Sequence, residues 1–114
     1  MIFRNFTTHV INIYDETGKF IIFSIAPEAE SIRLEEEITE TVILKNKIPI
    51  VTKKYKKIEN LPFCKDFTII IVSLPVIQAL QGSRSDLVCS DTSKDSVVKD
   101  EKGNILGVKR FMRL

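Results

Sequence analysis

A chain of 114 residues has the length of one domain. It can bury roughly two-thirds of the surface its unfolded form exposes, so it needs neither a disulfide nor a metal to fold. Apolar residues are 44% of the sequence and Gly and Pro are scarce, which excludes a disordered or low-complexity chain, and a net charge of +2 excludes a polycation.

The opening Met1-Ile2-Phe3-Arg4-Asn5 has no basic segment ahead of a long apolar one, so it does not read as a signal peptide. Asn5-Phe6-Thr7-Thr8-His9 follows and carries the single histidine. Val10 to Tyr14 is β-branched and aromatic, Asp15-Glu16-Thr17-Gly18 is turn chemistry, and Lys19 to Ile25 returns. Residues 10–25 therefore predict a β-hairpin, ended at Ala26-Pro27 because Pro cannot donate to a sheet ladder.

Between Ser31 and Leu44 the glutamates favour helix, but Ile32 and Leu34 alternate with charges and Thr39, Thr41, Val42 and Ile43 favour strand, so strands are expected. Lys45-Asn46-Lys47 turns the chain into a strand over Ile48 to Tyr55, where Pro49 implies an edge or a strand start. Glu59 to Pro62 is a loop. Phe67 to Ser73 reads as a strand buried on both faces; the longest apolar run, Phe67 to Ile77, contains Thr68, Ser73 and Pro75 and is too short to span a bilayer. Ser73 is placed to cap a short helix near residues 74–81, with Pro75 in its first turn and Gly82 as the stop. Leu87 to Cys89 is a short strand, and Ser96 to Lys99 pairs with Ile105 to Phe111 in a last hairpin. The expected fold is α+β and mostly antiparallel: one compact domain, residues 1–114, of hairpins with one short helix.

Charge is unevenly spread. Glu28 to Glu40 is acidic, Lys45 to Lys57 is basic, and Lys109, Arg110 and Arg113 make a basic C-terminus, an asymmetry that suits an anionic ligand or two solvated strand faces. Cys64 and Cys89 lie far apart beside apolar residues, without zinc spacing, and read as buried free thiols in a reducing cytoplasm.

Candidate chemistry is sparse. His9 lacks a second histidine or a nucleophile elbow, and reads as a structural residue together with Asn5 and Thr7. Arg84, Ser85 and Asp86 lie on a loop after a helix stop; Arg offers a planar fork for phosphate and Asp accepts from ribose hydroxyls, or the two form a local ion pair. Lys54 and Tyr55, within Lys53 to Lys57, offer charge and stacking, or a Lys-rich edge that blocks aggregation. Arg110 joins the ligand-binding candidates from the basic C-terminus. Glycine-rich phosphate loops and sequence-specific nucleic-acid motifs are absent.

In order along the chain, Asn5-x-Thr7-x-His9, Ile48-Pro49-Ile50, Leu61-Pro62, Arg84-x-Asp86 and Asp100-Glu101-x-Gly103-x-Ile105-x-Gly107 resemble a family of small proteins common in phages and prophages. Thr8 departs from the pattern, since relatives often have Pro there. The set is similar to phage anti-Thoeris sponge proteins. That resemblance implies a homo-oligomer without enzymatic activity or cofactor, in the cytoplasm of an infected host, that sequesters a cyclic ADP-ribose-type signal or cyclic oligonucleotide uncleaved. The expected site lies at a subunit interface. A protein–protein inhibitor or phage structural adaptor is the alternative, and a hydrolase using His9 with Asp86 is a third.

Overall fold

The computed structural model describes residues 1–63 and 65–114. Cys64, expected as a buried thiol, lies outside them; Cys89 is a buried free thiol as expected. In chain order the elements are β1 (Ile2–Asn5), β2 (Ile11–Tyr14), β3 (Ile21–Ile25), β4 (Arg33–Ile43), β5 (Pro49–Glu59), β6 (Thr68–Ile71), α1 (Leu74–Ala79), β7 (Leu87–Ser90), β8 (Val97–Lys99), β9 (Ile105–Val108) and β10 (Phe111–Met112). No helix among the described residues is long and apolar enough to cross a membrane.

The chain is β-rich with one short helix; the expected hairpin at residues 10–25 forms, and the last hairpin, expected out to Phe111, forms only from Val97 to Val108. The body is not all hairpins, however. One sheet has the order β1-β6-β7-β10, with β1, β6 and β7 mutually parallel and only β10 antiparallel. A second sheet, β3-β2-β9-β8, joins two antiparallel hairpins through the parallel contact of Ile13 with Val108. β1 has no counterpart in the sequence reading, because four residues ending in Asn give no strand period. Its partner is remote: Ile2 sits opposite Thr68. Phe111 leaves the last hairpin and pairs with Ser90 of β7 instead.

The parallel pair β6–β7 is joined by α1, as parallel strands require a crossover. This βαβ unit sets three layers. Ile70, Val72, Leu87 and Cys89 face α1, where Val76 and Ile77 meet them. Ile71 and Val88 face the second sheet, meeting Ile11, Ile13 and Val108. β6 is thus buried on both faces, as its unbroken apolar run predicts. Phe67 is not part of it: its φ of 58° is left-handed and its ring is exposed.

β4 and β5 pair only with each other, from Arg33–Glu59 to Ile43–Pro49. Leu34, Ile58 and Ile32 pack at the base against the α1-side core, and the rest is exposed. Eleven residues per strand give an arm of roughly 35 Å. It raises the radius of gyration to 16.7 Å, against about 13 Å for a compact chain of this length. The molecule is a layered body with a projecting arm, not a uniformly compact unit.

Candidate functional site

Parallel strands bring their carboxyl ends to one side of a sheet. Here Asn5, Ile71 and Ser90 end β1, β6 and β7 on the same side. Beyond them opens a cleft of about 680 Å³, within the ~300–1,000 Å³ of small-molecule sites. Open sheets with parallel strands bind ligands at this end. Phe6, Val72, Cys89 and Val108 line it with apolar surface, and Leu106 of β9 closes one side. Thr8, Ser73, Ser90, Thr92 and Ser93 add hydroxyls.

Asn5 builds one wall. It is fully buried, and its carboxamide satisfies four groups. Nδ2 donates to the carbonyls of His9 (2.8 Å) and Ile25 (3.0 Å). Oδ1 accepts from the Thr7 amide (2.9 Å) and the Thr7 hydroxyl (2.6 Å). Spacings of two and four residues let one side chain close the turn that carries Thr7, Thr8 and His9 into the cleft. Asn5 and Thr7 thus hold the turn through their side chains. His9 contributes its carbonyl to that turn, while its imidazole is exposed at the cleft with Nδ1 3.1 Å from the Thr8 hydroxyl.

Ser73 precedes α1 in extended conformation, and its hydroxyl makes no capping bond. The expected side-chain cap is absent; the Ser73 carbonyl instead accepts from the Val76 and Ile77 amides. Ser73 lines the cleft. On the opposite rim Asp91 accepts from Arg110 Nε at 2.6 Å. This bond, with those from Ser93, lowers the Asp91 carboxyl to about 2. Asp91 raises the Arg110 guanidinium in turn. Burial, and then the charge of Asp91, push the Cys89 thiol up, which favours its neutral form in the cleft lining.

The expected ligand-binding residues fall in three places. Arg84 clasps Asp86 with two bonds, 3.0 and 2.6 Å, and donates to the Pro62 carbonyl at 2.7 Å. Asp86 is buried, so this pair ties the loop after α1 to the Leu61-Pro62 turn; Ser85 between them is exposed. Lys54 and Tyr55 lie on the arm, lining an open groove of about 510 Å³ with Leu34, Glu36 and Gln78. Only Arg110 borders the main cleft, through Asp91 and Ser93.

Sequence reasoning missed Ser73 and the run Ser90 to Ser93. Their signal was available: hydroxyl-rich residues directly follow the two apolar runs that become the parallel strands β6 and β7. Among the described residues no cluster of His, Cys, Asp and Glu could hold a metal ion. No protein-family model, curated protein or solved structure matches the chain.

Proposed function

We propose that this protein is a binding protein that holds a small nucleotide-type signal, a cyclic ADP-ribose-type molecule or cyclic oligonucleotide, without cleaving it, and so acts as a phage anti-defence sponge in the host cytoplasm. The observation that carries the ligand-binding part is the cleft at the carboxyl ends of β1, β6 and β7. Its apolar floor suits a base, and its hydroxyls suit ribose and phosphate oxygens. Arg110, more than half exposed and tethered to Asp91, supplies a permanent positive charge beside the hydroxyl run. Retention rather than hydrolysis is favoured because the His9 imidazole is set against the Thr8 hydroxyl and not against an orienting carboxylate. The assignment to phage defence rests on the motif resemblance, and homo-oligomerisation belongs to the same reading.

Calorimetry against a panel of cyclic nucleotides, followed by heating and mass analysis of the released ligand, tests it. Binding with the ligand recovered intact is the expected result. Recovery of a cleaved product means an enzyme. Absence of binding across the panel, with Leu106→Arg and wild type behaving alike, removes the cleft as a nucleotide site and leaves the adaptor reading.

A further inference from the structure

The arm carries an unpartnered apolar face. Residues directly opposite in an antiparallel pair share a face. The register therefore puts Leu34 with Ile58, Glu36 with Tyr55, Ile38 with Lys53, Thr41 with Val51 and Ile43 with Pro49 on one side. At the base that side enters the core through Leu34 and Ile58. Further out its apolar side chains are exposed: Tyr55 is 50% exposed, Ile38 59%, Val51 42% and Ile43 70%, and Leu44 and Ile48 continue them around the tip. The other face is charged near the base, with Glu35 opposite Lys57 and Glu37 opposite Lys54, and carries only one apolar pair, Val42 with Ile50, beside the tip.

We infer that the apolar face of the arm packs against the same face of a second copy of this chain, forming a two-fold dimer. Two observations select this occupant. The first is area: six large side chains on this face and the tip, Tyr55, Ile38, Val51, Ile43, Leu44 and Ile48, are each 42–70% exposed, a contiguous surface of the kind that a standard interface of about 800 Å² per partner buries. An isolated two-stranded hairpin is at best marginal in water, so the arm needs such cover. The second is charge, which excludes symmetric edge-to-edge pairing. It would set the Glu35, Glu36, Glu37 and Glu40 strand against itself, or the Lys53, Lys54, Lys56 and Lys57 strand against itself, and like charges directly opposite are unfavourable. Register shifts at Glu35/Glu36 and Ile38/Glu40 break both edges further. Face-to-face packing avoids both problems, because only Glu36 and Lys53 on this side are charged, and the Lys53 stem can lie along the apolar surface with its ammonium at the rim. The inference specifies the surface behind the proposed homo-oligomer and is independent of any ligand in the cleft.

Light scattering on the eluting full chain tests it. Wild type should give twice the 13.0 kDa chain mass, the double variant Ile38→Lys/Val51→Glu should give a monomer with an unchanged far-UV spectrum, and Glu37→Gln on the opposite face should stay dimeric. Hydrogen exchange of the wild type at two concentrations needs no variant: amides of residues 36–55 should gain protection as concentration rises, at least tenfold between mostly monomer and mostly dimer. A wild-type monomer whose arm exchanges equally fast at every concentration overturns the inference and leaves the face to another partner. A double variant that remains dimeric, or an open-ended polymer, overturns it in favour of a different contact.

Discussion

Replacing Asn5 with Ala should be among the most damaging single changes in the body. The carboxamide is fully buried and makes four hydrogen bonds. Alanine removes both donors from the His9 and Ile25 carbonyls and strands the Thr7 amide. The Thr7 hydroxyl keeps a partner, since it also donates to the His9 carbonyl at 3.2 Å. Three net bonds at about 1 kcal/mol each, plus about 1 kcal/mol for an unsatisfied, partly buried amide, give a loss of about 4 kcal/mol. That is a large fraction of a total stability of about 5–15 kcal/mol, and it corresponds to roughly 15–20 °C in melting temperature. Urea unfolding followed by circular dichroism measures it. His9→Ala is the matched control: it retains the structural carbonyl and removes only an exposed ring, so it should cost less than about 0.5 kcal/mol. An Asn5→Ala loss below about 1 kcal/mol, or an equal loss for His9→Ala, would refute the argument that one carboxamide holds the turn.

Arg84→Ala removes two charge-assisted bonds from a mostly buried Asp86 and one from the Pro62 carbonyl, and should cost about 2–4 kcal/mol in denaturant while leaving cleft binding by the folded fraction unchanged. Gly107→Ala places a Cβ against the Asn12 carbonyl and 2.8 Å from the Tyr14 ring; separating β2 from β9 should cost about 1–3 kcal/mol, read from the shift in urea midpoint. Arg110→Gln should weaken a bound nucleotide about tenfold or more in calorimetry and flatten its salt dependence. The same residue sets an acid limit. Because the folded Asp91 value is depressed from 3.8 to about 2, its stabilisation is present above about pH 4 and is lost as pH falls through about 2. Acid titrations of wild type and Arg110→Gln should diverge above that window and converge below it.

Local order was legible in the sequence. The Asp15-to-Gly18 turn, the strand alternation around Leu34 and the Pro75 start each depend on neighbours within a few residues, and each formed; the expected stop at Gly82 comes earlier, since α1 ends at Ala79 with Leu80 as its cap and Gln81 already left-handed at φ 52°. Pairing was not legible where partners are remote. β1 lies beside β6 through a contact between Ile2 and Thr68, and no period in either segment specifies the other. The projection of the arm was not legible for a different reason. A strand pattern over Ile38, Ile43 and Val51 states that the segments are extended, not whether anything covers their apolar side chains, which stay exposed. For the site, Asn5, Thr7 and His9 could be grouped because two and four residues separate them. The cleft as a whole could not, since its walls come from the ends of strands brought together only by the parallel sheet.

That parallel sheet also governs the order in which the molecule can be made. β1 is synthesised first but has no partner until β6 follows more than sixty residues later, as the Ile2–Thr68 register requires. The β4–β5 arm closes through a short turn, with the Leu44 amide bonded to the Ile48 carbonyl at 3.0 Å, and can form as soon as it emerges. Local hairpins close in about 1–10 μs, whereas long loops must lose their closure entropy before any remote contact rewards it. On a ribosome the arm is therefore ready well before the cleft. For that interval the nascent chain carries an apolar arm and an unpaired first strand together, and its yield will depend on how quickly β6 arrives.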